Sequence, residues 1–363
     1  MNILQEVCSL PTAPFVEHHV IRYAREFARK RKLKLTRDAA GNLLLEKQGV
    51  GKRQPRWIFT AHMDHPGFVA QRMVDDHTLR ADFYGYVLAD YMKDERVRFF
   101  DGDAQITGVI MEAKAEKDSP RAREATIHVR KPVPAWSPGM FDQGAGRVKG
   151  GRFYSRVCDD LAGAAAALAM MDVLSRKPAK ATVGLLLTRA EEEGFIGAIA
   201  ASRDRTLLRE SDRIIAIETS AMQPYARQGD GVIIRIGDRT SVFNSGLSYF
   251  ITQQADAVKR KDKSFKYQRA LMPGGTCEAT VYDIYGYTAG SICVALGNYH
   301  NMDREKKKIG PEYINIGDWR NMVKLFLAVA RSGHEYEPGH KALRDRVEKR
   351  FEKLQRLLSD LTA

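Results

Sequence analysis

The sequence predicts an α/β protein, a mixed central sheet flanked by helices and interrupted by a small β-rich insert. Three observations carry that prediction. Apolar runs of strand length alternate with helical repeats in the first and later parts of the chain, whereas residues 70–154 hold short alternating segments broken by Gly and Pro. A hydrophobic content of 44% with 28% charged residues over 363 positions is that of a globular chain with a sizeable core.

Each element follows from its pattern. Between residues 14 and 32, Phe15, Val20, Ile21, Tyr23, Ala24 and Phe27 recur at helical spacing, and Gly41-Asn42 turns the chain into the apolar run 43–45. Residues 57–61 read as a buried strand that ends on His62, Met63 and Asp64. Segments such as 105–110 and 125–129 then alternate apolar and polar residues, with no long helical repeat, which marks the insert. An Ala-rich helix over 161–174, a strand over 182–188, a helix over 194–202 and a strand over 213–218 restore the α/β pattern. Further strands are expected at 231–236 and 291–296, with helices near 241–258 and 319–331.

The expected organisation is a core domain of residues 1–69 and 155–335, an insert at 70–154, and a C-terminal extension at 336–363. In the extension Leu343, Val347, Phe351, Leu354, Leu358 and Leu361 stand three or four residues apart, an apolar stripe on a charged helix. Either the chain's own core or another subunit must cover such a stripe.

Charge and cysteine content exclude several classes. The chain carries 58 Lys and Arg against 45 Asp and Glu, a net +13, but its basic tracts at 259–263, 304–308 and the C-terminal tail are interrupted by acids. No RRM, KH or helix-turn-helix pattern accompanies them, so the excess reads as a solvated face that tunes solubility, assembly or affinity for acidic peptides, and nucleic acid is not the expected partner. No apolar run reaches the roughly 20 residues of a membrane helix. The N-terminus lacks a basic segment followed by an apolar core, so a cytoplasmic location is expected. Cys8, Cys158, Cys277 and Cys293 lie far apart without a CxxC pair, as expected of reduced, packed thiols.

Acidic and imidazole groups stand where strands should end: His62 and Asp64, Glu191-Glu192 after the strand 182–188, and Glu218. Asp159-Asp160 precedes the Ala-rich helix, and His300 follows the strand 291–296. In an open α/β sheet these edges converge on the ligand site. Each group alone has an ordinary structural account, as a helix cap or a satisfied strand terminus. Together they would bury several carboxylates, which is costly unless cations neutralise them, and a pair of divalent metals resolves the conflict.

The motifs Ala61-His62-Met63-Asp64-His65-Pro66-Gly67-Phe68, Asp159-Asp160-Leu161-Ala162-Gly163 and Thr188-Arg189-Ala190-Glu191-Glu192-Glu193-Gly194 open an ordered series. Ile217-Glu218, Pro273-Gly274-Gly275-Thr276 and Asn298-Tyr299-His300-Asn301 complete it. The series resembles the co-catalytic dinuclear zinc peptidases of the M42 family, the tetrahedral and glutamyl aminopeptidases, which are related to the M20 and M28 peptidases. The position of the insert, directly after the first His motif, favours the M42-like branch.

The resemblance implies a zinc-peptidase-like phosphorylase/hydrolase-type fold and assigns roles residue by residue. His62 and Glu218 would bind one metal, Glu192 and His300 the other, and Asp159 would bridge both. Asp64 would orient His62, and Glu191 would activate a metal-bridging water and return its proton to the leaving amine. A non-proline cis bond would join Asp159 to Asp160. Two divalent ions are implied, zinc first and cobalt or manganese as alternatives. The implied activity is an aminopeptidase on short peptides, within a homo-oligomer that the insert helps to build or to lid.

Two departures keep alternatives open. Most M42 members carry Asp where this chain has Glu218, and Glu there is associated with M20-type enzymes. Cys277-Glu278 follows the Gly-Gly-Thr motif where an acid usually comes one residue earlier. The alternative substrate is therefore an N-acyl or N-succinyl amino acid, or a peptide cut from its carboxyl end, and a non-catalytic binding protein is a third reading.

Overall fold

The computed structural model describes residues 1–52, 55–337 and 341–359. Its large sheet has eleven strands among the described residues. From one edge the order is Lys34–Arg37, Leu43–Lys47, Thr182–Thr188, Arg56–His62, Arg213–Ala221, Thr288–Gly297, Glu312–Asn315, Arg152–Ser155 and Arg147–Lys149. Val232–Gly237 and Tyr267–Leu271 branch from Thr288–Gly297.

The four central strands are parallel, with Thr188 in register with His62, and Glu218 with Cys293. Their carboxyl ends therefore open on one edge. Side-chain alternation sorts each strand between two cores. Trp57, Phe59, Leu185 and Ile215 pack with the helices Leu161–Arg176 and Ile316–Ser332, while Ile58, Leu186 and Ile214 pack on the other face with Ala198, Val281 and Tyr282. The Ala-rich helix suits its place. Its small side chains let it lie nearly wholly buried, and Trp319 Nε1 donates to Ala162 O at 2.8 Å to fasten the neighbouring helix.

A second sheet closes into a six-stranded barrel, Gly67–Met73, Thr78–Tyr84, Ala122–Val129, Ala104–Ala115, Arg96–Asp101 and Pro138–Phe141. Phe68, Phe83, Phe99 and Phe141 fill it. The barrel ends at Phe141, short of the insert boundary at 154 read from the sequence. Arg147–Lys149 and Arg152–Ser155 instead extend the edge of the large sheet through pairing with Glu312–Asn315. Short alternating strands look alike whichever sheet they join, and only their partners separate them.

No helix among the described residues is long and apolar enough to cross a membrane. All four cysteines are free and buried. The C-terminal stripe is not covered by the chain's own core. Leu343, Val347, Phe351, Leu354 and Leu358 are exposed on the helices Lys341–Leu354 and Arg356–Ser359, and Leu361 lies outside the described residues.

Candidate metal centre

Five segments bring the sequence-predicted residues together at the carboxyl edge of the parallel strands. His62 closes its strand, and its Nε2 lies 3.6 Å from Asp159 Oδ1. Its Nδ1 sits 3.2 Å from the carbonyl of Asp64 and 3.5 Å from the Asp64 carboxylate. Asp159 Oδ2 faces His300 Nε2 at 3.7 Å, and Glu192 Oε2 faces the same nitrogen at 3.3 Å. Glu218, on the strand Arg213–Ala221, completes a group with His62 and Asp159, while Asp159, Glu192 and His300 form a second group. In both groups the donor atoms lie within 4.8 Å of one another and Asp159 is shared, while His62, Glu191 and Glu192 form a third group without Asp159. Asp159 is joined to Asp160 by a cis peptide bond.

Local structure explains these placements. Glu191 and Glu192 begin a single turn of 3-10 helix after Thr182–Thr188, entered through Ala190 at φ 49° and left through Gly194 at φ 96°. Asp64 holds that turn, since its carboxylate accepts the amides of Glu191 and Glu192, both at 3.0 Å. His300 at φ 55°, Asn301 at 61° and, one residue before Tyr299, Asn298 at 54° are left-handed, a conformation that non-glycine residues keep only when the surroundings enforce it. The Asn301 amide donates to Arg156 O and Gly310 O, His65 Nε2 meets its oxygen at 3.0 Å, and His65 Nδ1 meets Asp159 O at 2.6 Å. Tyr86 O accepts from His300 Nδ1 at 2.8 Å, which leaves Nε2 free to face the carboxylates.

Several supporting residues have no role assigned from the sequence, Glu312 because it lies outside every motif, and Glu193 and Gly163 although they stand within two of them. Glu312 is fully buried and accepts the amides of Cys158, Asp159 and His300 at 2.7, 3.0 and 2.9 Å. Glu193 accepts from Arg121, Arg123 and the Gly85 amide, tying the turn to the barrel. Gly163 leaves room for the Asp160 carboxylate, because a Cβ there would stand 2.2 Å from Asp160 Oδ1.

The electrostatics are those of crowded, dry carboxylates. Burial, reinforced by neighbouring acids, pushes the Glu191 and Glu192 carboxyls well above their usual range and that of Glu218 up to about 8. Burial alone would raise Asp159, but the adjacent His62 imidazole, with His300, holds it low. Burial lowers His300 to about 4 despite Asp159. Asp159 Oδ1 and Glu192 Oε1 are buried without a hydrogen-bond partner, as are both Asp160 oxygens. Unsatisfied buried carboxylate oxygens facing imidazole nitrogens fit divalent cations that accept nitrogen and oxygen ligands. No thiolate belongs to either group, and burial pushes the Cys158 thiol well up.

The groups lie in a cavity of about 1010 Å³ that His62, Asp159, Glu191, Glu192, Glu218 and His300 help to line. Its wall includes Gly274, Gly275 and Thr276 from the expected Gly-Gly-Thr motif. Cys277 and Glu278 are buried beyond it, and Glu278 accepts from Thr60 Oγ1 at 3.0 Å, which gives the displaced acid a structural partner.

The overall arrangement is that of known peptidases. An aminopeptidase from the archaeon Desulfurococcus kamchatkensis superimposes with a TM-score of 0.75 at 22% identity, over 91% of this chain and 94% of that one. The TET1 peptidase of Pyrococcus horikoshii, described as assembling into a tetrahedron or a large octahedral shell, gives 0.75 at 20% identity over 91% and 98%. A TET aminopeptidase from a marine-sediment Thaumarchaeota archaeon gives 0.76 at 17% over 91% and 96%. A sequence comparison with curated proteins finds no match. Residues 41–308 match the family described as M42 glutamyl aminopeptidase, a stretch that spans the barrel and every residue of both groups. The free-amine reading is thereby favoured over the deacylase one, and the chain belongs to the M42 peptidase family as a metal-dependent aminopeptidase.

Proposed function

We propose that His62 and Glu218 hold one divalent cation, Glu192 and His300 a second, and that Asp159 bridges them, with zinc the first choice and cobalt or manganese the alternatives. The observation that carries this reading is the sharing of Asp159 between two donor groups that five separate chain segments supply. Such ions supply Lewis acidity toward the scissile carbonyl and the attacking water.

The chain's own residues do the rest. Glu191 lines the cavity beside the ligands and belongs to neither group that contains Asp159. Burial among acids raises its affinity for a proton. It takes the proton of the water and delivers it to the departing amine. Asp64 keeps His62 oriented and fixes the backbone of Glu191, so the base stands at a set distance from the ligands. The substrates are short peptides with a free amino terminus.

We further assign the large sheet and its helices, residues 1–66 and 142–335, to the catalytic domain, in place of the 1–69 and 155–335 expected from the sequence. The barrel, residues 67–141, serves as lid or assembly domain, and the helical extension at 336–363 as an appended element. Assembly into a homo-oligomer follows the behaviour described for Pyrococcus horikoshii TET1. The four buried, unpaired cysteines suit the reducing cytoplasm.

The test is a panel of aminoacyl anilides, free-amine peptides and their N-blocked counterparts, each with zinc, cobalt or manganese. Cleavage of the free-amine substrates and about two bound ions per chain by elemental analysis are expected. Turnover of N-blocked substrates alone would return the deacylase reading, and no turnover with any metal would overturn the enzyme reading.

A further inference from the structure

We propose that the mouth of this cavity holds a carboxylate subsite, formed by Arg147, Arg152 and Arg304, that takes the C-terminal carboxylate of a short peptide. The proposal rests on the aminopeptidase reading above and names a feature of its substrate.

All three arginines line the same cavity as the metal-ligating groups. Two of them belong to one built wall. Arg147 pairs with Tyr154 across two antiparallel strands, and Tyr154 pairs in turn with Tyr313 on the next. Alternation places Arg152 on the same face as Tyr154. The two tyrosine rings lie 5.2 Å apart. The Arg152 guanidinium stands 5.2 Å from the centre of the Tyr313 ring, and that of Arg147 stands 6.0 Å from Tyr154. Cation–π attraction to an aromatic face holds the arginines in place without consuming their N–H donors.

Arg304 comes from the turn between Met302–Asp303 and Lys308–Ile309. Met302 and Ile309 are buried in the barrel's core, so both ends of that turn are anchored.

Charge pairing separates these arginines from one neighbour. Lys306 is 3.2 Å from Asp303, while Lys308 and Glu305, which also line the cavity, add opposite charges to the rim without an ion pair among the described residues. Among the described residues, neither Arg147, Arg152 nor Arg304 forms an ion pair with a carboxylate. A guanidinium keeps its charge at every accessible pH, and its forked donors match a carboxylate. Three of them at the cavity mouth attract an anion and repel an ammonium.

A short free peptide has one charge of each kind. At the floor the four carboxylates Asp159, Glu191, Glu192 and Glu218 face two divalent cations and the buried Arg235 guanidinium, so no excess of negative charge lies there and the arginines of the rim bias entry by holding the carboxylate. The amino terminus must point inward and the carboxyl terminus toward the arginines, which is the productive orientation for an aminopeptidase. A longer chain carries its terminal carboxylate out of reach, so the subsite favours short peptides, or those with an acidic side chain near the cut.

The experiment compares four substrates that share the N-terminal residue X released fastest from an anilide. They are X-anilide, X-Gly-Gly with a free carboxylate, X-Gly-Gly-amide and X-Gly-Glu-Gly-amide, and each is tested on the metal-loaded wild type and on the triple variant R147Q/R152Q/R304Q. The wild type is expected to show a KM about tenfold lower for the free acid than for its amide. The triple variant is expected to erase that difference, with kcat and all anilide kinetics unchanged. The unchanged anilide doubles as the control for folding. A preference confined to the Glu-containing amide would overturn the assignment to the C-terminal carboxylate. Equal KM values for acid and amide in the wild type, or a ratio that survives in the variant, would overturn the subsite while the aminopeptidase reading stands. No turnover of any substrate, the anilide included, would overturn both.

Discussion

Asp64 grips the backbone of Glu191, its Oδ1 accepting the Glu191 amide at 3.0 Å while Oδ2 accepts the next amide, that of Glu192, at the same distance. The same carboxylate lies 3.5 Å from His62 Nδ1. One buried side chain therefore couples the proposed base, one proposed ligand of each metal, and the strand end that carries His62. In Asp64→Asn the carboxamide can accept only one of the two amides and turns its NH2 toward the other. We expect kcat/KM to fall roughly 10- to 100-fold, with a comparable loss of metal affinity by calorimetric titration. Unchanged metal affinity would show that Asp64 does not position the ligands.

Glu191→Gln keeps the shape of the side chain and removes the proton acceptor. Glu191 groups with His62 and Glu192 but stands outside both groups that share Asp159. Its loss as the base and not as a ligand should leave metal binding in place while kcat drops by about 10² to 10⁴. Elemental analysis of the variant against its rate on an aminoacyl anilide checks this. Loss of a metal ion along with the rate would make Glu191 a ligand and not a base.

The parts of this site that the sequence made legible are those whose position follows from secondary structure. His62, Glu191-Glu192 and Glu218 stand at the ends of apolar runs that can only be central parallel strands, and such strands open on a shared edge. Glu312 was not legible. It is one acid in the short strand Glu312–Asn315, and its three amide partners lie 12 to 154 residues away. The strands at 147–149 and 152–155 were counted with the insert for a related reason, because a period of two says that a strand exists and nothing about which sheet it joins. The fate of the C-terminal stripe was undecided for the same cause, since amphipathicity states that a face needs cover without naming the cover.

Glu312 yields a prediction of its own. Burial, with the charge of Asp159, raises its carboxyl to about 8 against the opposing pull of three donated amides. In Glu312→Gln at least one of those amides must face an NH2, and a buried donor left unmatched costs about 1–3 kcal/mol. Urea unfolding should show a loss of that size. Metal affinity should fall as well, because the amides concerned belong to Asp159 and His300, both proposed ligands. Unchanged stability together with unchanged affinity would contradict the positioning role.

Chelation should expose the cost of keeping these acids together. In the metal-free chain Glu191 and Glu192 are pushed well up and Glu218 to about 8, by burial first and by one another's charge second. In the unfolded chain a glutamate titrates near 4.3. The folded state thus binds protons more tightly than the unfolded one, so the acids impose no penalty below about pH 4.5 and destabilise progressively as pH rises toward about 8. Divalent cations replace those protons and remove the slope. The thermal midpoint of the chelated protein should therefore fall between about pH 5 and about pH 8. That of the zinc-loaded protein should stay level over the same range. Scanning calorimetry across that range measures both, and parallel curves for the two forms would mean that the cluster does not carry the metals.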